Sequence, residues 1–295
     1  MIKIEMFESS LNFIRCPNCG GKLNLDNYKK ESEILEGILK CKKCQLDFPI
    51  IDKIPIMLID FDKYISEHKI LSGKLYKLAS TKKMKEKLKL IFNGISWKNT
   101  DKSEVEERWA DIYENSRNDE FYKKIKRHLE LIPKRKVVLE YGCSIGIISN
   151  YISDFNEKVF GVDKSFIAIQ IAKKEQKNNI EFILSDFASL PFGNKKFDMI
   201  LGLNILELIE PNILLKIMNS QISKGYMIIS DPYDYQRGIY SVKHPLNELQ
   251  IRKKLIQLKF KISIETKKPS FIPWQLKLNN RANLNYKVDI IIAKK

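Results

Sequence analysis

The sequence predicts an α/β chain, a doubly wound and mostly parallel seven-stranded Rossmann-like sheet preceded by a small metal-bound ribbon. Three observations predict it. From about residue 136 onward, short apolar runs alternate with helical patterns, as expected of right-handed βαβ crossovers and a sheet covered on both faces. The first run, VVLEY at 137–141, feeds a glycine-bearing turn, GCSIG, and then the apolar start of a helix (Ile145, Ile147, Ile148, Tyr151). Near the other end, Cys16, Cys19, Cys41 and Cys44 form two C-x-x-C pairs separated by 21 residues. The boundaries that follow are 10–60 for the ribbon, 61–105 for a basic helical linker and 106–295 for the sheet domain.

In the ribbon, each C-x-x-C presents two thiolates from one tight turn, and Gly20 supplies backbone freedom behind the first. Two such turns complete a tetrahedral site with no open position, so the metal is expected to be a structural zinc. The long inner loop costs little, because closure entropy grows only logarithmically. Five cysteines, four of them in these pairs, suit a reducing compartment better than disulfides. The N-terminus lacks the pattern of a secretory signal, and no apolar run is long enough to span a bilayer. The protein is expected in the cytoplasm. The pieces Cys16-Pro17, Gly21, Leu23, Phe48-Pro49-Ile50 and Ile54-Pro55 resemble the small zinc-ribbon family that activates tRNA, rRNA and protein methyltransferases as a separate subunit.

The linker is strongly basic, with ten lysines against two glutamates between residues 63 and 98. Leu75, Leu78, Leu88, Ile91 and Phe92 recur at helical spacing, which predicts helices that bury one face and show lysines to water. A basic amphipathic segment lying on RNA or anionic lipid is the alternative. The whole chain carries a formal charge of +16, yet only eight of its 52 basic residues are arginine, the residue preferred for bidentate phosphate and base contacts. The stretch EVEERWADIYENSRNDEFY at 104–122 is helical and aromatic, with Trp109, Tyr113 and Tyr122.

The sheet domain follows with strands expected near 136–141, 158–163, 180–185, 197–203 and 225–230, and helices near 145–154, 165–176, 204–220 and 246–258. The last two strands, about 259–267 and 286–293, have no helix between them. In the turn, Gly142 allows a tight reversal and Gly146 close helix packing. The middle glycine of a dinucleotide fingerprint is Ser144 here, which points away from a pyrophosphate ligand. Acids end successive strands, Asp163 in KVFGVDKS and Asp186 in EFILSDF, and Asn204 ends the fourth. In this order and spacing the chain from about residue 106 resembles the class I S-adenosylmethionine-dependent methyltransferases.

The resemblance implies a cofactor site at the carboxyl ends of these strands. Glu140, Gly142, Cys143, Ser144 and Gly146 would line the amino-acid end of S-adenosylmethionine. Asp163, flanked by Lys164, would hold the ribose. Asp186 and Phe187 would meet the adenine, and Asn204 would border the site. The fourth strand ends Leu203-Asn204-Ile205-Leu206, not in the N/D-P-P-Y/F that grips planar amides and exocyclic amines. That favours methyl transfer to a small molecule or a peptide side chain. An rRNA or tRNA base methyltransferase, with ribbon and linker on RNA, is the alternative. Asp231 and Tyr233, at the end of the fifth strand, are candidates for base and orienting group, with His244 as one further base. The resemblance also implies a lid over cofactor or substrate, with Trp109, Tyr113 and Tyr122 as candidates. It implies a substrate pocket bordered by the connection between the last strands, with Trp274 and Arg281 as candidates. Methyl transfer from a sulfonium mainly needs proximity and alignment, so no catalytic group is obligatory. A non-enzymatic module is the third possibility, and the intact acids Asp163 and Asp186 argue against it.

Overall fold

The computed structural model of the chain describes residues 9–187, 191–236, 238 and 241–295. The ribbon is a four-stranded antiparallel sheet of β1 (Leu23–Lys30), β2 (Ile34–Cys41), β3 (Asp47–Ile51) and β4 (Ile54–Pro55) in sequential order. Three helices follow, α1 (Phe61–Ser66), α2 (Lys69–Leu78) and α3 (Lys82–Asn93), and then α4 (Ser103–Asn115) and α5 (Glu120–Glu130). The remainder alternates as β5 (Val137–Tyr141), α6 (Ile147–Ile152), β6 (Lys158–Asp163), α7 (Phe166–Lys174), β7 (Ile180–Leu184), β8 (Phe197–Leu203), α8 (Pro211–Ser220), β9 (Ile222–Asp231) and α9 (Glu248–Gln257). It closes with β10 (Lys261–Ile262), β11 (Ile272–Asn279) and β12 (Ala282–Lys294).

The large sheet runs β10-β12-β9-β8-β5-β6-β7, with β11 paired to β12 off this path. Strand β8 pairs in parallel with β5 and with β9, and β12 runs antiparallel to β9 and β10. The order reverses at β5, which places a crevice outside the carboxyl ends of β5 and β8. Strand β7 is all buried, as expected where both faces are covered.

Three expectations change. Of the nine residues assigned to the sixth strand, only two pair as β10, because Ile264–Thr266 coils into a 3-10 turn. The segment between the two expected last strands holds a further strand, β11, in a hairpin with Trp274 opposite Tyr286 and Leu276 opposite Leu284. Among the described residues the sheet has eight strands, the seven of the expected sheet order with β11 added beside β12. Helix α8 begins at Pro211 and not near 204, since proline fits the first helical position and residues 206–208 form a turn.

Contacts divide the chain into two compact units. The first comprises Met1–Ala110, Ser144–Gly146 and Val162–Lys195. Within it the ribbon lies on β7: Ile56 bridges Leu184 in parallel, and the Met57 amide donates to the Leu184 carbonyl at 2.7 Å. Buried Glu36 on β2 ties α3 to the ribbon. It accepts from the Ser80 amide, from the Thr81 amide at 3.0 Å and from the Thr81 hydroxyl at 2.6 Å. Burial pushes its carboxyl up, but these donors outweigh burial and hold it below its ordinary range. In α3, Met84 and Leu88 are fully buried one turn apart, while Lys83 and Lys87 pair with Asp26 and Asp47 of the ribbon.

The second unit comprises Asp111–Cys143, Ile147–Gly161 and Lys196–Lys295. Its C-terminal strands are pinned by a buried ion pair. Arg252 of α9 donates to both carboxylate oxygens of Asp289 at 2.6 and 3.0 Å. Tyr233 donates its hydroxyl to the same carboxylate at 2.9 Å, and the Ser270 amide donates to it at 2.8 Å. Removing one partner strands a buried charge, so Asp289→Ala should destabilise the protein by about 3–5 kcal/mol. Chemical denaturation of the variant checks this.

Candidate cofactor and metal sites

In the ribbon the four cysteine sulfurs all lie within 4.8 Å of one another, with Cys16 to Cys44 at 3.5 Å and Cys19 to Cys41 at 3.4 Å. Sulfurs bound tetrahedrally to zinc are roughly 3.8 Å apart, so a modest expansion admits the ion. Amides of Lys43 and Cys44 point at the Cys41 sulfur, at 3.4 and 3.5 Å. The Leu46 amide lowers the Cys44 thiol to about 6, whereas burial pushes Cys16 up to about 12. Gly21 packs close to the site, where a Cβ would lie 3.2 Å from the Cys41 sulfur and 3.3 Å from that of Cys19. The donor set is all sulfur and closed, which suits a structural zinc and leaves no ligand position for water.

The turn after β5 is built on left-handed residues: Gly142, Ser144 and Gly146 have φ of 64°, 48° and 78°. A Cβ on Gly142 would lie 2.7 Å from Ile205, and one on Gly146 would lie 2.7 Å from Phe182 and 2.9 Å from Ala172. Gly146→Ala therefore combines overlap with backbone strain, an expected loss of roughly 2–4 kcal/mol readable in thermal melts.

In the first unit, the Asp163 carboxylate accepts the Ser144 amide at 2.8 Å and the Ser165 amide at 2.9 Å. A phosphate cradle would present these amides to the ligand. Here a carboxylate takes them, so the turn suits a ligand of hydroxyls and positive charge. Burial raises the Asp163 carboxyl against these two hydrogen bonds, and nearby Glu106 adds to the rise. Asp186 and Phe187 follow β7, both half-buried, and Lys164 pairs with Asp186 at 3.1 Å. With Lys164 largely exposed, that pair is weak enough for a ligand to displace.

In the second unit, Glu140 is buried and accepts the Ser149 hydroxyl of α6. Cys143 is buried in the turn. Asn204 is left-handed at φ 54°, and its side-chain oxygen accepts the Ser230 hydroxyl at 2.8 Å.

The residues assigned to catalysis do not fit that role. Asp231 has no exposed surface, and its oxygens accept the amides of Leu206 and Tyr233, both at 2.9 Å. It fixes the loops after β8 and β9 and is no free base. Tyr233 is committed to Asp289, and its phenol is pushed far up by burial and that carboxylate. His244 is exposed beside Glu210 at 3.6 Å. Among the pocket candidates, Tyr113 and Trp274 do meet, stacked with centroids 6.4 Å apart, but Trp274 also packs on Phe121 and Tyr286. At 4% exposure its indole has no face left for a substrate. Arg281 is exposed at the tip of the β11–β12 hairpin, and Trp109 is half-buried on α4.

Sequence reading missed Tyr64, His68 and Ser165, which carry no motif. Ser165 had one local signal, its place directly before a helix, where its hydroxyl caps the Ala168 amide.

Residues 132–270 match the model of a methyltransferase domain, and residues 9–52 match that of Trm112p-like proteins. Among solved structures, magnesium protoporphyrin IX methyltransferase from Synechocystis PCC 6803 with bound SAH aligns with TM-score 0.50 and 18% identity over 65% of this chain and 94% of that one. A chain from the complex between the Haloferax volcanii Trm112 methyltransferase activator and a methyltransferase aligns with TM-score 0.52 and 14% identity, over 65% and 96%. At these identities the likeness is one of fold. Fold, glycine turn and domain match together define the class, an S-adenosylmethionine-dependent methyltransferase. A UPF0434 protein of Dechloromonas aromatica (strain RCB) is 48% identical over 50 residues, 17% of this chain and 74% of that protein. The chain is a methyltransferase-domain protein whose N-terminal segment belongs to the Trm112p-like family.

Proposed function

We propose that the chain transfers the methyl group of S-adenosylmethionine to a small molecule or a peptide side chain. The observation that carries this is the end of β8. The position from which nucleobase and amide methyltransferases grip a planar nitrogen holds Asn204, whose side-chain oxygen is occupied by Ser230. Ile205 and Leu206 follow it, buried, in place of the paired prolines. The cofactor supplies an activated methyl on a sulfonium, and the chain's part is to bind and align. Asp163 holds the ribose hydroxyls. Glu140, Gly142, Cys143, Ser144 and Gly146 line the amino-acid end, with Glu140 suited to the ammonium. Asp186 and Phe187 meet the adenine, with Lys164 beside them and Asn204 at the margin.

The ribbon, 10–60, and the helical stretch, 61–105, precede the methyltransferase domain, 106–295, and the ribbon braces its strand β7 within the first unit. An RNA-binding role for the helices is less well supported. Of the lysines on α3, Lys83 and Lys87 pair with ribbon acids, Lys82 pairs with Glu86, and Lys85 and Lys89 lie near the Tyr76 ring.

Methyl transfer from tritiated S-adenosylmethionine to fractionated RNA, to peptides and to a small-molecule extract tests the proposal. Label in the last two is expected. Label in RNA alone, with turnover falling steeply as salt rises, would replace the proposal with the RNA alternative.

A further inference from the structure

We infer that Glu106 is a positioning residue for the acid at the end of β6, and that His68 holds Glu106 in place. The inference rests on the proposed assignment of Asp163 to the ribose.

The His68 ring is 2% exposed and stacks on Tyr64 at a centroid distance of 4.1 Å. Its Nδ1 lies 2.6 Å from the Tyr64 carbonyl oxygen, and its Nε2 lies 2.8 Å from Glu106 Oε1. A carbonyl only accepts, so Nδ1 carries a proton. A carboxylate oxygen also only accepts, so a second proton lies between Nε2 and Oε1. The pair is therefore an imidazolium and a carboxylate, assigned by the partners each nitrogen faces. The other Glu106 oxygen accepts the Ser165 hydroxyl at 2.7 Å, which turns that hydroxyl's lone pair to the Ala168 amide at 3.2 Å. The Ser165 amide donates to Asp163, whose second oxygen takes the Ser144 amide. Five residues form one unbroken chain of hydrogen bonds from the N-terminus of α2 to the glycine turn. All of it lies within the first compact unit.

Around His68 the charged groups are Glu106, Glu67, Asp101 and Lys102, and Lys102 is itself paired with Glu67. Around Asp163 they are Glu106 and the adjoining Lys164. Burial alone would lower the imidazole, but the bonds to Glu106 and the Tyr64 carbonyl outweigh it, and its pKa is raised. For a raised histidine the contribution is full at low pH and is lost as pH rises through the folded-state value. Once the proton leaves, two lone pairs face each other across the Nε2–Oε1 gap, and Glu106 lets go of Ser165. Cofactor affinity should then decline on the alkaline side.

The test is calorimetric titration of the full chain with S-adenosylhomocysteine from about pH 6 to about pH 9. For the unaltered protein, Kd should rise about tenfold over the alkaline limb, the worth of one charge-assisted bond. In Glu106→Gln the amide can donate to a neutral Nε2 while its oxygen still accepts from Ser165. That variant should bind about threefold more weakly near neutrality and show no alkaline limb. Glu106→Ala should bind about tenfold more weakly throughout. If the alanine variant does not fold, the glutamine variant decides. A glutamine variant with an undiminished alkaline limb, or an alanine variant that binds like the unaltered protein, overturns the inference. Asp163→Asn separates the two levels. If it loses binding while the Glu106 variants keep theirs, only the relay fails. If it binds normally, the ribose assignment fails and the relay with it.

Discussion

Exchanging Asp163 for alanine is expected to abolish S-adenosylhomocysteine binding in a calorimetric titration while the domain stays folded. Two bonds from ribose hydroxyls to a carboxylate are worth roughly 3–6 kcal/mol together, at least a hundredfold in Kd. The stability side runs the other way. Burial raises the Asp163 carboxyl, so its ionised form is disfavoured in the folded chain. For an acid raised on folding, the penalty is present at neutral pH and is relieved as pH falls below the folded-state value. Asp163→Asn removes that penalty but leaves one of the Ser144 and Ser165 amides facing an NH2 group. The two effects oppose each other, so its melting temperature near pH 7 should stay within a few degrees of the unaltered protein, roughly 1 kcal/mol. Cofactor affinity, which needs the carboxylate, should fall on the acid side beginning above the ordinary aspartate range. A Kd within threefold of the unaltered protein in either variant would remove Asp163 from the site.

Cys41→Ser is expected to lose the metal and, with it, the ribbon. Structural zinc contributes about 10–16 kcal/mol of apparent binding energy in small domains, comparable with the whole stability of a typical fold. Strands β2 to β4 bury Ile38, Leu39, Phe48, Ile50 and Ile54, but the cysteine turns and β1, which is entirely half-buried or exposed, have little to replace it. Metal analysis should give one zinc per chain for the unaltered protein and none for the variant. Amide exchange at Met57, which donates to Leu184, should accelerate in parallel. A variant without zinc in which Met57 keeps its protection would show that the ribbon stands without its metal.

Most of the sheet was legible because its strands are buried on both faces and therefore read as continuous apolar runs, as in IEFIL and FDMILGL. The ribbon was legible from its cysteine spacing. Strand β11 was passed over although it alternates: Trp274 and Leu276 point inward, while Pro273, Gln275 and Lys277 face out. The asparagine- and lysine-rich text of its hairpin looks like loop, and what protects the strand's outer edge comes from elsewhere, with Asp119 and Ser116 accepting the amides of Gln275 and Lys277. The end of β9 misled for a different reason. Aspartate and tyrosine at the mouth of a crevice look like catalytic groups. Only the three-dimensional fold brings in the Leu206 amide and Asp289, which occupy them. The chain from His68 to Asp163 lay beyond reach altogether, since it joins residues from separate helices and a strand end that share no local pattern.

The bridge from Ile56 to Leu184 covers the β7 edge with a segment of the same polypeptide. Two free molecules joined by so short a pairing would come apart on dilution. A tethered segment instead meets its edge at an effective concentration in the millimolar range, whatever the amount of protein in the tube. Complex formation is thereby replaced by folding. The ratio of ribbon to catalytic domain is fixed at one, and neither half can be titrated away from the other or exchanged for a competitor.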